Sequence, residues 1–162
     1  VRAAIVVALA LLVVTACKRE PAPPTGFESP AAAIDTLFRA YGVQDMSQEE
    51  ARRRLQARER FELLHPKLFR SCFSDWQGEH DQALGGFVFG QLVAGKDELE
   101  IETSKDTAEV RVASASKELQ PVVLVRRDRA WKIVLRESVP PKVRQGLYEV
   151  YRRARRAERQ AR

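Results

Sequence analysis

Glu98-Leu99-Glu100-Ile101-Glu102-Thr103, with its continuation Ala108-Glu109-Val110-Arg111-Val112, alternates apolar and polar side chains and decides the fold. A period of two belongs to half-buried strands. Ser104-Lys105-Asp106 between the two runs is turn-like. A two-residue turn at Lys105-Asp106 sets Ile101 opposite Val110 and Leu99 opposite Val112 on one face, and Glu100 opposite Arg111 on the other. A second hairpin is expected from Pro121 to Arg127, a turn at Asp128-Arg129, then Ala130 to Glu137. Its register pairs Leu124 with Ile133, Val122 with Leu135, and Arg126 with Trp131, where guanidinium stacks on indole. Arg129 stands where a tight turn favours glycine, so a shift of one residue stays open.

Upstream the apolar period lengthens to three or four. Ser29-Pro30 starts a helix, with serine as cap and proline in the first turn, and Ala33, Ile34, Leu37, Phe38 and Tyr41 share one face before Gly42. Ser47-Gln48-Glu49-Glu50 is a capping box for a second helix, through Arg52 to Leu64, ended by His65-Pro66. Pro66 opens a short helix through Leu68, Phe69 and Phe73. Glu79 to Val93 reads either as a third long helix weakened by Gly85, Gly86 and Gly90 or as a loop with a strand at Phe87 to Phe89.

At the other end, Ala3 to Val14 is a run of twelve apolar residues behind Arg2. At about 1.5 Å per residue it rises about 18 Å, short of the roughly 30 Å hydrocarbon core, which favours a cleaved export signal over a permanent span. Val14-Thr15-Ala16-Cys17 resembles the lipobox of bacterial lipoproteins: aliphatic, small or β-branched, Ala or Gly, then Cys. The resemblance implies cleavage between Ala16 and Cys17, diacylglycerol on the Cys17 thiol and anchoring in a membrane. An ordinary secretory signal with an incidental cysteine is the competing reading. Lys18 is not the aspartate associated with inner-membrane retention, so the resemblance implies the outer membrane, at its periplasmic face or surface. The division expected is 1–16 signal peptide, 17–29 lipidated cysteine and Pro-rich tether, 30–139 folded domain, and 140–162 basic helix.

The net charge of +6 is unevenly placed: Lys142 to Arg162 holds eight Lys or Arg against two Glu, so the excess lies wholly in this segment. Val143, Leu147, Val150, Tyr151 and Ala154 recur there at helical spacing beneath Arg144, Arg152, Arg153, Arg155 and Arg156. The arginines are candidates for electrostatic contact with anionic headgroups or an acidic envelope partner. A solvated charged face is the competing reading. Nucleic acid is not expected, since a basic patch alone is non-specific and export removes the target.

Helices followed by an antiparallel meander define an α+β class. The order is similar to the nuclear transport factor two-like superfamily, the cystatin-like α+β roll. The resemblance rests on Pro30 to Tyr41, Leu63-Leu64-His65-Pro66, Asp106 to Val110, and Val123-Leu124-Val125-Arg126-Arg127-Asp128-Arg129-Ala130-Trp131-Lys132-Ile133. It implies N-terminal helices on a curved sheet, and a pocket that serves isomerases and dehydratases in some members and non-catalytic binding in others. The chain departs from it in lacking the turn glycine and in adding the basic helix.

Asp35, Tyr41, His65, Asp75 and His80 are residue types suited to proton transfer, but they form no catalytic signature, and no catalytic residue is assigned. Gly90-Gln91-Leu92-Val93-Ala94-Gly95-Lys96-Asp97 nearly spells a phosphate-binding loop, but Asp97 replaces the magnesium-binding hydroxyl. Cys72, Asp75, Glu79, His80 and Asp81 have no standard zinc spacing, so neither metal nor cofactor is expected. Cys72, between Phe69 and Phe73, reads as a small buried apolar side chain. The expected function is a non-enzymatic envelope lipoprotein that binds a protein partner or a small apolar ligand. A pocket enzyme and a tethered spacer are the alternatives.

Overall fold

The computed structural model describes residues 24–162, which run as helices first and a sheet after. The helices are α1 (Pro30–Ala40), α2 (Gln48–Gln56), α3 (Pro66–Ser71), a 3₁₀ turn at Glu79–Asp81, and α4 (Gln82–Val93). The strands β1 (Leu99–Ser104), β2 (Thr107–Val112), β3 (Val122–Arg127) and β4 (Ala130–Ile133) form one antiparallel meander in sequence order. Two further helices, α5 (Leu135–Ser138) and α6 (Pro141–Gln160), follow it. The class is α+β, with an open four-stranded sheet.

The first hairpin has the expected register: Leu99 pairs with Val112, Glu100 with Arg111 and Ile101 with Val110. In the second, Leu124 pairs with Ile133 and Arg126 with Trp131, the guanidinium lying 5.8 Å from the indole centroid. Asp128 and Arg129 take φ of 48° and 66°, the doubly left-handed geometry of a tight hairpin turn, so arginine occupies the glycine-favoured position without a register shift. The strand stops earlier than expected. Val122 does not pair with Leu135, because Asp75 accepts hydrogen bonds from the Leu135 and Arg136 amides (2.8 and 3.0 Å) and draws that stretch into α5. Ser138 then takes the Val123 amide at 2.9 Å and packs α5 on β3.

Ser29 caps α1 through the Ala32 amide at 3.1 Å, and Ser47 caps α2 through the Glu50 amide at 3.1 Å. However, α2 ends at Gln56 rather than running to Leu64, and Arg58 turns the chain with φ of 55°. Only Ala51 of α2 is buried, so little holds a longer helix to the body. The chain instead runs back extended, placing Phe61 edge-on to Phe89 and donating the Leu64 and His65 amides to the Ala40 carbonyl, each at 3.0 Å.

Glu79 to Val93 takes the helical alternative, with no strand at Phe87 to Phe89. Leu84, Val88, Phe89, Leu92 and Val93 are buried, because α4 is flanked by α1, α2, α5, α6 and β2. Gly85 permits the closest approach: a Cβ there would lie 2.4 Å from the Phe69 ring and 2.8 Å from that of Phe73. The space between helices and sheet is filled by Ile34, Leu37, Leu92, Val110, Val122, Leu124 and Ile133.

The folded domain also begins before Pro30. Phe27, assigned to the tether by sequence, is buried, and its carbonyl accepts the Trp131 amide at 2.9 Å. Its ring lies under the Lys132 ammonium, 3.3 Å from the centroid, while the Gly26 carbonyl accepts the Thr36 hydroxyl at 2.7 Å. The polar, Pro-rich composition concealed one aromatic anchor.

Candidate functional site

Pro141 lacks an amide proton and stands in the first turn of α6, where that donor would be unsatisfied anyway. Twenty residues extend the helix about 30 Å. Val143, Leu147 and Tyr148 pack partly against the core, yet no residue of α6 is fully buried. From Arg152 to the end every residue is exposed, so the second half leaves the body as an arm.

The root of α6 is held by polar contacts. Asp81, fully buried, accepts from the Tyr148 hydroxyl at 2.9 Å, the Gln77 amide at 2.7 Å and the Arg136 guanidinium at 3.2 and 3.3 Å. Arg136 also reaches Asp75 at 3.1 Å, and its carbonyl accepts from Arg144 at 2.8 Å. Burial and the bond to Asp81 raise the Tyr148 pKa above its ordinary value. The Arg136 pKa is also raised: burial opposes its charge, but Asp75 and Asp81 together outweigh that cost. His80 Nε2 lies 3.6 Å from Asp81, and the His80 ring meets Tyr148 edge-on. Over this base lies a solvent-open groove of about 700 Å³, lined by His80, Pro141, Arg144, Tyr148, Tyr151 and Arg152.

On the arm, Arg152, Arg153, Arg155, Arg156, Arg159 and Arg162 are all exposed. At about 100° per residue the five on the helix, Arg152 to Arg159, occupy a little under half its circumference, opposite Val150, Ala154 and Ala157. Arg153 pairs with Glu149 at 3.7 Å and Arg155 with Glu158 at 2.9 Å. Among the described residues, Arg144 and Arg152 make no ion pair.

The expected proton-transfer groups are dispersed. Asp35 is exposed, Tyr41 stacks on Phe89 at 3.8 Å, and His65 lies beside Arg39 and Pro66 in a separate groove. Asp75 and His80 touch the same cluster, Asp75 through Arg136 and His80 through Asp81, and both oxygens of Asp75 already accept hydrogen bonds at the start of α5. Asp81 enters the sequence reading only as one of several metal-ligand types, and Arg136 and Tyr148 do not enter it as site residues. Their signal was faint: an arginine directly after the apolar run Ile133-Val134-Leu135, where a half-buried guanidinium favours an acid nearby.

Cys72 is fully buried, donates to the Leu68 carbonyl at 3.3 Å, and has its pKa pushed up to about 12 by burial. Lys96, the lysine of the near phosphate-loop pattern, donates instead to the Gln44 carbonyl at 3.1 Å and to that of Met46. No group of three metal-ligating side chains occurs among the described residues. Ala16 and Cys17 lie outside the described residues, as does the apolar run before them. No helix among the described residues is long and apolar enough to cross a membrane. The chain matches no protein-family model, no curated protein and no solved structure.

Proposed function

We propose that this chain is a lipid-anchored lipoprotein of the bacterial envelope, tethered to the outer membrane through Cys17, whose domain is a non-enzymatic interaction module. Val14-Thr15-Ala16-Cys17 supports the anchor, and the helix-then-meander order supports the reading of the domain as an α+β roll. The observation that carries the interaction role is the arm: five exposed arginines on a helix that extends beyond the body, with a sixth, Arg162, just past its end. Such an arm adds nothing to the core, and its like charges repel at spacings of three and four. A partner of opposite charge relieves that repulsion. The proton-transfer alternative has less support, because Asp75 is engaged as a helix cap and Asp81 is buried beneath Arg136 and Tyr148.

The anchor is tested by mass spectrometry of the mature amino terminus and by membrane fractionation. Acylated Cys17 is expected at the amino terminus, and Cys17→Ser is expected to remain unacylated and unprocessed while the domain still folds. An unmodified Cys17 in the wild-type protein would overturn the anchor.

A further inference from the structure

We infer that the arginine face of the α6 arm lies on an anionic phospholipid surface, so that the domain touches the bilayer a second time. This rests on the anchored reading above for its setting but not for its physics. The arm residues 152–162 contain six arginines and one acid, Glu158, which is itself paired with Arg155. The other nearby acid, Glu149, faces Arg153.

The breadth of the charge favours a bilayer over an acidic protein. Protein interfaces are held by a few large anchors, chiefly Trp, Tyr and Arg seated in pockets. Here the arginines spread over a little under half the circumference, and the opposite stripe of Val150, Ala154 and Ala157 offers little apolar area. A fluid layer of phosphates accepts such an arc at any spacing, and each basic side chain near the surface strengthens adsorption about fivefold. The small stripe means the helix adsorbs without inserting, unlike interfacial helices with a large apolar face. Arg144 and Arg152, at the rim of the groove, continue the cationic surface back to the body.

Reach is consistent with this arrangement. Gly26 and Phe27 are fixed to the domain, and eight residues of sequence, 18–25, separate them from Cys17. Fully extended they span about 25 Å, less than the roughly 30 Å length of α6.

The test is sedimentation of the mature chain, residues 17–162 carrying Cys17→Ser and so free of the apolar leader, with phosphatidylcholine vesicles, with and without phosphatidylglycerol. Anionic lipid is expected to increase binding, salt to weaken it, and Arg152→Gln, Arg153→Gln, Arg155→Gln, Arg156→Gln and Arg159→Gln together to remove about 100-fold or more of the increment. Val150→Ser is expected to leave it unchanged. Binding that ignores phosphatidylglycerol, or that survives the five arginine substitutions, would overturn the inference. So would binding lost with Val150→Ser but not with the arginine substitutions, which would indicate an apolar seam. Acyl chains are absent throughout, so a negative result here leaves the Cys17 anchor standing, and failure of the anchor leaves this result standing.

Discussion

Cys72 and Tyr41 both sit in apolar surroundings that disfavour their anions. Burial raises their pKa values from 9.0 and 10.0 to about 12. Because the unfolded chain releases these protons first, their contribution is intact below pH 9 and declines as pH rises from about 9 towards 12. Urea midpoints measured across that range are expected to fall, and Cys72→Ala is expected to flatten the lower part of the decline. Gly85 makes a second residue-scale case. Sequence alone marks it as a helix-weakening residue, but its missing Cβ makes room for Phe69 and Phe73. Gly85→Ala is expected to destabilise by about 1–3 kcal/mol despite the better helix propensity of alanine. Gly146→Ala, with nothing within 4 Å of the new methyl, is expected to stabilise by about 0.5–1 kcal/mol. Thermal or denaturant melts distinguish the two. Burial of Cys72 was legible from its phenylalanine neighbours, whereas the role of Gly85 depended on rings that only the fold brings near.

The meander shows which features of an element are local. Alternation along β1 and β2 and the Lys105-Asp106 turn specify the register by themselves, since a one-residue slip would turn Val110 out and Arg111 in. The ends of elements are different. The start of α5 depends on Asp75, sixty residues upstream of Leu135, and no periodicity announces it. Likewise α2 stops where its neighbours cease to bury it, although the sequence continues with apolar points through Leu64. The α6 root depends on distant partners too. Tyr148→Phe removes the hydroxyl donated to Asp81 and is expected to cost about 1 kcal/mol. It should appear as faster amide exchange across residues 141–151, with sheet amides unaffected. Asp81→Ala leaves Asp75 as the one ion-pair partner of Arg136, and about 3 kcal/mol of destabilisation is expected in denaturant melts.

At the scale of the whole molecule, one core joins α1, α3, α4 and α5 to the sheet, while the net charge gathers in the last helix. The α+β class was legible because the change of apolar period survives any error in element boundaries. The contact that closes the amino-terminal end was not, since Phe27 lies among prolines and polar residues that resemble linker. That contact also gives the molecule a mechanical character. Any pull transmitted from the amino-terminal side reaches the domain through Phe27, whose carbonyl bonds to Trp131 in β4 and whose ring lies beneath Lys132. Tension would therefore load this short strap before the rest of the sheet. Release of Phe27 would free the residues before α1 while leaving the core of α1, α4 and the sheet in place.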